Sequence, residues 1–280
     1  MAKTLLILAL ALAVPGLARA DEADAHYRAG LAFKQQNKTD EAIQEFLTAI
    51  KLRSDYAAAE FSLGVTYKMR NQLEDAAIHL QKAAKLQPKT ADAHASLGMT
   101  YYKLGRVDDA EKELARAVEI NPNDATWQSS LGKIYREKKD FGRAIPHLEQ
   151  AVLLDPKDAI SLSNLGVAYR QTNKMAEAEK YFLKALELKP DQADFHFNLA
   201  TVYRRQQKTT EAIAEYQKAL AIDNKLAPAH YDLGILLAQL KRNDEAVEHW
   251  NSYLDLKAQQ DPKEAEVVRK HIKELGGKPR

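Results

Sequence analysis

The chain has 280 residues, with 41 Lys+Arg against 39 Asp+Glu and no cysteine. The missing thiols exclude disulfides, thiolate metal sites and a lipid anchor on an N-terminal Cys. Setting aside Lys3 and Arg19, the only charges in the first 20 residues, leaves 39 basic side chains (41 − 2) against 39 acidic ones; a neutral body argues against nucleic acid as a partner, because phosphate binding leans on a basic field.

Residues 1–20 read as a secretory leader. Lys3 supplies a positive start, Leu5–Val14 is a ten-residue apolar run, Pro15-Gly16 breaks it, and Ala18-Arg19-Ala20 is a small-x-small cleavage signature. The alternative is a retained membrane anchor, but the run is half of the roughly 20 residues that a spanning helix needs. Cleavage after Ala20 would leave an exported, soluble protein, opening on the acidic lead-in Asp21–Asp24.

From Ala23 to Gln260 one 34-residue pattern repeats seven times without insertion, as 23–56, 57–90, 91–124, 125–158, 159–192, 193–226 and 227–260. The unit Ala91–Asp124 shows it most clearly. Leu97, Gly98 and Tyr101, then Ala110, Leu114 and Ala117, fall at helical spacing; Leu104-Gly105 breaks the first helix and Asn121-Pro122 ends the second. Each unit therefore predicts a helix A over about its first fourteen places and a helix B from about place 17. Place 8 is Gly30, Gly64, Gly98, Gly132, Gly166 and Gly234, with Ala200 in the sixth unit. An aromatic holds place 11 from Phe33 to Tyr203, and Ala holds place 20 from Ala42 to Ala246. A large apolar residue holds place 24: Phe46, Leu80, Leu114, Leu148, Phe182, Tyr216 and Trp250. A two-helix hairpin this small cannot bury its own apolar face, so it needs copies of itself as neighbours.

Several B helices open on acids, such as Asp40-Glu41 and Asp108-Asp109, which suit the positive end of the helix dipole. Thr39, Thr209 and Asn243 are candidate N-caps, and Pro146 predicts a small distortion early in the fourth B helix. After Gln260, Asp261-Pro262 starts a last helix over 261–275, whose apolar stripe is Ala265, Val268, Ile272 and Leu275. Gly276-Gly277 stops it, and the tail 276–280 is expected to be disordered.

The pattern resembles the tetratricopeptide repeat (TPR) family. It matches in the Leu-Gly pair, the aromatic at place 11, the alanines around a large apolar residue, and the closing Pro88, Pro122, Pro156 and Pro190. It departs in lacking the family's frequent Trp at place 4, where His26, His94, His196 and His230 stand among others, and in Ser54 and Asn224, which replace the closing Pro. The resemblance implies an all-α fold: an α-solenoid, wound as a right-handed superhelix, of seven hairpins closed by a capping helix. It also implies a periplasmic home for an exported array, and function on a concave face lined by the A helices.

On that expectation, places 2, 5, 6, 9, 12 and 13 of helix A line the ligand-binding face. Place 12 supplies Lys34, Lys68, Tyr102, Arg136, Arg170 and Arg204, and place 13 adds Lys103 and Arg205. Place 5 supplies Tyr27, Phe61, Phe197 and Tyr231, and place 6 the amides Asn164 and Asn198. Together they predict a groove with an apolar floor and a basic stripe, attractive to an acidic peptide or an anionic polymer. The two asparagines resemble a short backbone-binding ladder, an amide being both donor and acceptor. The family's chaperone-tail clamp, Lys at place 5 and Asn at place 9 of the first unit, is replaced by Tyr27 and Leu31.

Enzyme motifs are lacking: no Gly-rich phosphate loop, His-Glu-x-x-His or Gly-x-Ser-x-Gly. Histidines share two phases, one at place 4 and one at His79, His147 and His249, but residues one repeat apart cannot converge on one ion. No cofactor or metal is expected. The leading reading is a scaffold for a protein or extended peptide in the cell envelope, in a secretion, pilus or outer-membrane assembly system. The alternatives are export of an anionic polysaccharide and self-assembly.

Overall fold

Amphipathic segments of this length are helical in the computed structural model, which describes residues 15–280, with side chains from Arg19. The expected leader, 1–20, lies for the most part outside the described residues. The first helix, α1 (Pro15–Gln35), begins eight residues ahead of place 1 and runs through Ala20. Leu17–Ala25 is rich in strong helix formers, and Pro is tolerated in a first turn.

The chain divides into two units, the first ending at Ser130 and the second beginning at Leu131. In the first, α1 pairs with α2 (Thr39–Leu52), α3 (Ala57–Met69) with α4 (Leu73–Leu86), and α5 (Ala91–Lys103) with α6 (Val107–Ile120); α2 packs on α3, α4 on α5, and α3 touches both α1 and α5. The division falls inside α7 (Ala125–Glu137). The second unit continues with α8 (Phe141–Leu154), then the hairpins of α9 (Ala159–Gln171) with α10 (Met175–Leu188), α11 (Ala193–Arg205) with α12 (Thr209–Ile222), and α13 (Ala227–Gln239) with α14 (Asn243–Lys257). Here α8 packs on α9, α10 on α11, α12 on α13, and α15 (Pro262–Glu274) closes on α14. From the second repeat on, helix A fills places 1–13 and helix B opens at place 17, as the spacing predicts. No strand occurs among the described residues.

The hairpins close on place 8. A Cβ on Gly132 would lie 2.6 Å from Leu148 Cγ, and one on Gly98 2.8 Å from Leu114 Cγ, so the glycine lets the large residue at place 24 sit against the backbone of helix A. The alanines at place 20 are fully buried beside it.

The turn between the helices has a fixed geometry. Place 15 is left-handed in every repeat: Asn37, Asn71, Gly105, Lys139, Asn173, Gln207 and Lys241, with φ between 58° and 74°. The next N–H reaches back to the carbonyl of place 11, as Lys38 does to Phe33 at 2.9 Å, closing helix A in the Schellman manner. That residue is also the N-cap of helix B, which corrects the expected caps. Thr39, Thr209 and Asn243 are the first helical residues, while Lys38, Lys208 and Arg242 hold the cap positions without a side-chain bond. Side-chain caps come from Asp140, Asp158 and Asp261. The helix α8 runs on through Pro146 without interruption.

Ala265, Val268 and Ile272 of α15 are buried against the last hairpin. The tail is not loose as expected. Asn251, itself buried, donates from Nδ2 to the Lys278 carbonyl at 3.2 Å and accepts the Arg280 N–H on Oδ1 at 2.9 Å, and Arg280 pairs with Asp255 at 2.6 Å. One amide thus holds the tail backbone by both of its polar atoms.

Candidate functional site

Place 12 of helix A is half-buried wherever it is charged. In the first unit, Lys34, Lys68 and Lys103 come from three consecutive A helices. None of the three makes an ion pair among the described residues. Burial pushes the Lys34 and Lys68 ammonium groups below their ordinary value, and for Lys68 repulsion from Lys103 and Lys34 adds to it. Lys103 itself is exposed, while Tyr102 and Phe61 are half-buried on the same helices. Tyr27 is committed to packing. Its ring lies 5.9 Å from Phe46 and 5.1 Å from Tyr56.

In the second unit the stripe is arginine, and its members are not equivalent. Arg136 lines a recess of about 340 Å³ with Val167 and Gln171, and lies 3.9 Å from the Glu137 carboxylate. Arg204 is matched by Asp232 at 3.5 Å, which corrects its expected role as a free cation. Asp232 sits at place 6 of the next repeat, facing place 12 of this one. It also accepts from Tyr216 Oη at 2.9 Å, and that hydroxyl lies 3.3 Å from Thr201 Oγ1. Burial first, and the Asp232 charge next, raise the Tyr216 phenol well above its ordinary value.

Among the described residues Arg170 has no carboxylate within ion-pair distance, and the charge of Asp232 reaches it only as a minor influence. Burial and then Arg205 push its guanidinium below the ordinary value. Arg205, exposed, donates from Nη1 to the Arg170 carbonyl at 3.3 Å. The Nε–H groups of Arg136, Arg170 and Arg204 are all buried and donate to no acceptor among the described residues. A buried donor left unmatched costs about 1–3 kcal/mol, and Arg53 Nε, outside the stripe, is in the same condition.

The amide ladder is not set as expected. Asn198 turns back and donates to the Asp194 carbonyl of its own helix at 2.7 Å, because a carbonyl four residues behind lies within its reach. Asn164 is half-buried one repeat earlier and makes no such bond. Phe197 packs on Tyr216 with ring centroids 5.8 Å apart, and Tyr231 on Tyr253 at 5.4 Å.

Sequence reasoning missed what the histidines do. Place 4 of helix A meets place 23 of helix B, nineteen residues on, inside the hairpin. His26 binds Glu45 at 2.6 Å, His94 binds Glu113 at 2.6 Å and His196 binds Glu215 at 2.5 Å, while the second repeat reverses the order as Glu60 with His79 at 2.5 Å. The seventh repeat has His230 against His249, Nδ1 to Nδ1 at 2.9 Å, with His230 Nε2 donating to the Asn224 carbonyl at 3.1 Å. The signal was the complementary pair at a fixed spacing of nineteen. Among the described residues no three ligating side chains gather as a metal site, and no helix is long and apolar enough to cross a membrane.

The hairpin, its register and its stacking have relatives. The family model described as the cilia and flagella-associated protein 70 C-terminal domain, a TPR region, matches residues 7–231. The chain belongs to the TPR family. Among solved structures, the TPR protein YrrB, described as having an unusual peptide-binding site, superposes with a TM-score of 0.61 at 21% identity over 70% of this chain and 97% of that one. PilF of Pseudomonas aeruginosa gives 0.62 at 24% identity, over 80% of this chain and 98% of its own. MamA gives 0.57 at 25% identity, over 62% and 95%. No curated protein matches the chain. The fold class is all-α, of the solenoid type, as the resemblance implies.

Proposed function

We propose that this TPR protein is a non-catalytic scaffold that binds an extended, acidic segment of a partner protein along the A-helix face of its second unit. Family membership supports the general reading, since TPR arrays are as a rule protein-interaction scaffolds rather than enzymes. The observation that carries the finer one is Arg170: a half-buried cation with no carboxylate of its own, a buried unmatched Nε–H, and Arg205 pressed beside it. A guanidinium so placed lacks an acidic acceptor, and a partner's Asp or Glu supplies one in bidentate geometry.

The inequivalence of Arg136, Arg170 and Arg204 favours a peptide over a uniform anionic polymer, which would call for equal seats in every repeat. The leader-like residues Lys3, Leu5–Val14 and Ala18-Arg19-Ala20 support export to a bacterial periplasm, and there a place in a secretion, pilus or outer-membrane assembly system. The test is the anisotropy of a fluorescein-labelled hexaglutamate peptide titrated with the full chain. Saturable binding is expected, and Arg170→Gln weakens it about tenfold, the loss of one charge-assisted pair. Unchanged affinity in that variant would remove Arg170 from the site.

A further inference from the structure

Beside Asp232, at the end of the arginine stripe, the last hairpin and α15 line an open cavity of about 310 Å³. Its walls are two tyrosines, Tyr231 and Tyr253, with ring centroids 5.4 Å apart and planes tilted by 50°. Its polar groups are Asp232, Asp261, Glu264, Lys257 and Gln260. Each carboxylate is anchored through one oxygen. Glu264 Oε2 accepts from Tyr253 Oη at 2.6 Å, Asp261 Oδ1 accepts the Glu264 N–H at 3.1 Å, and Asp232 Oδ2 takes both Tyr216 and Arg204. The second oxygens, Glu264 Oε1, Asp261 Oδ2 and Asp232 Oδ1, receive no donor among the described residues. Lys257 does not serve them, because its Nζ donates to Gln260 Oε1 at 2.7 Å.

We infer that this cavity is a subsite for an arginine side chain of the bound segment. The rings are rigid because Tyr253 is buried and tied to Glu264, so they form a preset wall for a flat cation. A guanidinium carries five donors in a fixed plane, enough to meet three separate acceptor oxygens and still stack on a ring. Asp261 and Glu264 are exposed and Asp232 half-buried, so the three carboxylates repel an anion, while an apolar side chain gains nothing from their second oxygens. The inference rests on the peptide reading above and gives the peptide a polarity: an acidic residue at Arg170 and Arg205, and an arginine lodged between α13 and α15. Asp232 separates the two seats, holding Arg204 on one side and lining the cation cavity on the other.

The probe is N-acetyl-arginine amide, with N-acetyl-citrulline amide as its uncharged analogue of nearly equal shape. The readout is the tyrosine ring resonances of the full chain by NMR. The arginine derivative is expected to shift the Tyr231 and Tyr253 signals saturably, and the citrulline derivative to leave them unmoved. Glu264→Gln keeps an acceptor for Tyr253, and Asp261→Asn keeps a helix cap; each should weaken the arginine effect severalfold with the melting temperature held. Equal shifts from citrulline, no shift from arginine, or full binding in both variants would overturn the assignment. Arg170→Gln separates the two proposals. It should weaken hexaglutamate binding about tenfold and spare the arginine response, so the failure of one does not pass for the failure of the other.

Discussion

At the scale of single residues, backbone geometry explains more than side-chain chemistry. Place 15 requires a left-handed residue, and Lys139, Gln207 and Lys241 meet that demand without being Gly or Asn. A residue with a Cβ pays roughly 1–2 kcal/mol there, so Gln207→Gly is expected to raise stability by about 0.5–1 kcal/mol after the entropy of the unfolded glycine is charged against it; a lowered melting temperature would contradict the turn geometry. Gly132→Leu acts in the opposite sense. Its side chain would meet Leu148 at once, and overpacking of this kind costs about 1–3 kcal/mol, measurable as a lower midpoint in urea. Gly132 was legible in the sequence because it recurs every 34 residues with the same neighbours. The left-handed turn left a mark in the sequence at Gly105 and at Asn37, Asn71 and Asn173, but a lysine or glutamine carries no mark of the φ that its neighbours impose.

At the scale of the helix pair, the place 4 and place 23 side chains form a polar latch that changes character along the chain. Four repeats close it with His and Glu, and the seventh with two histidines. Burial, and then His230, hold the His249 imidazole below its ordinary value of about 6.5, and burial does the same for His147, with Arg143 adding to it. The groups facing His249 are His230 across the hairpin and Glu245 and Glu248 on its own helix. A histidine depressed in the native state binds fewer protons than the unfolded chain once the pH falls below about 6.5. Stability is therefore complete above that pH, declines as the pH drops toward the native value, and levels off below it. Replacing His249→Glu rebuilds the latch of the third and sixth repeats, and should flatten that acid-side decline in thermal melts between neutral and mildly acidic pH; an unaltered slope would place the acid sensitivity elsewhere. The pairing was hidden in the linear sequence because each partner reads as an ordinary surface residue until the hairpin brings nineteen-residue neighbours together.

For the molecule as a whole, periodicity was enough to predict the fold, because each repeat needs only its neighbours and announces their register. The site was less legible. The phase of Lys34, Lys68, Arg136, Arg170 and Arg204 was readable from place 12, but the counter-ion Asp232 was not. It comes from the following repeat, at a place where the first repeat carries Arg28 and the others Ser or Asn, and it gives Arg204 the ion pair that Arg170 lacks among the described residues. Nor could the sequence show that Asn198 would turn onto its own helix or that Asn251 would grip the tail. That asymmetry gives the most direct test of an arginine face built for an acidic segment. In the hexaglutamate titration, Asp232→Asn should tighten binding by freeing Arg204, Arg170→Gln should weaken it, and added salt should weaken the wild type. Identical, salt-independent affinities for all three proteins would contradict it.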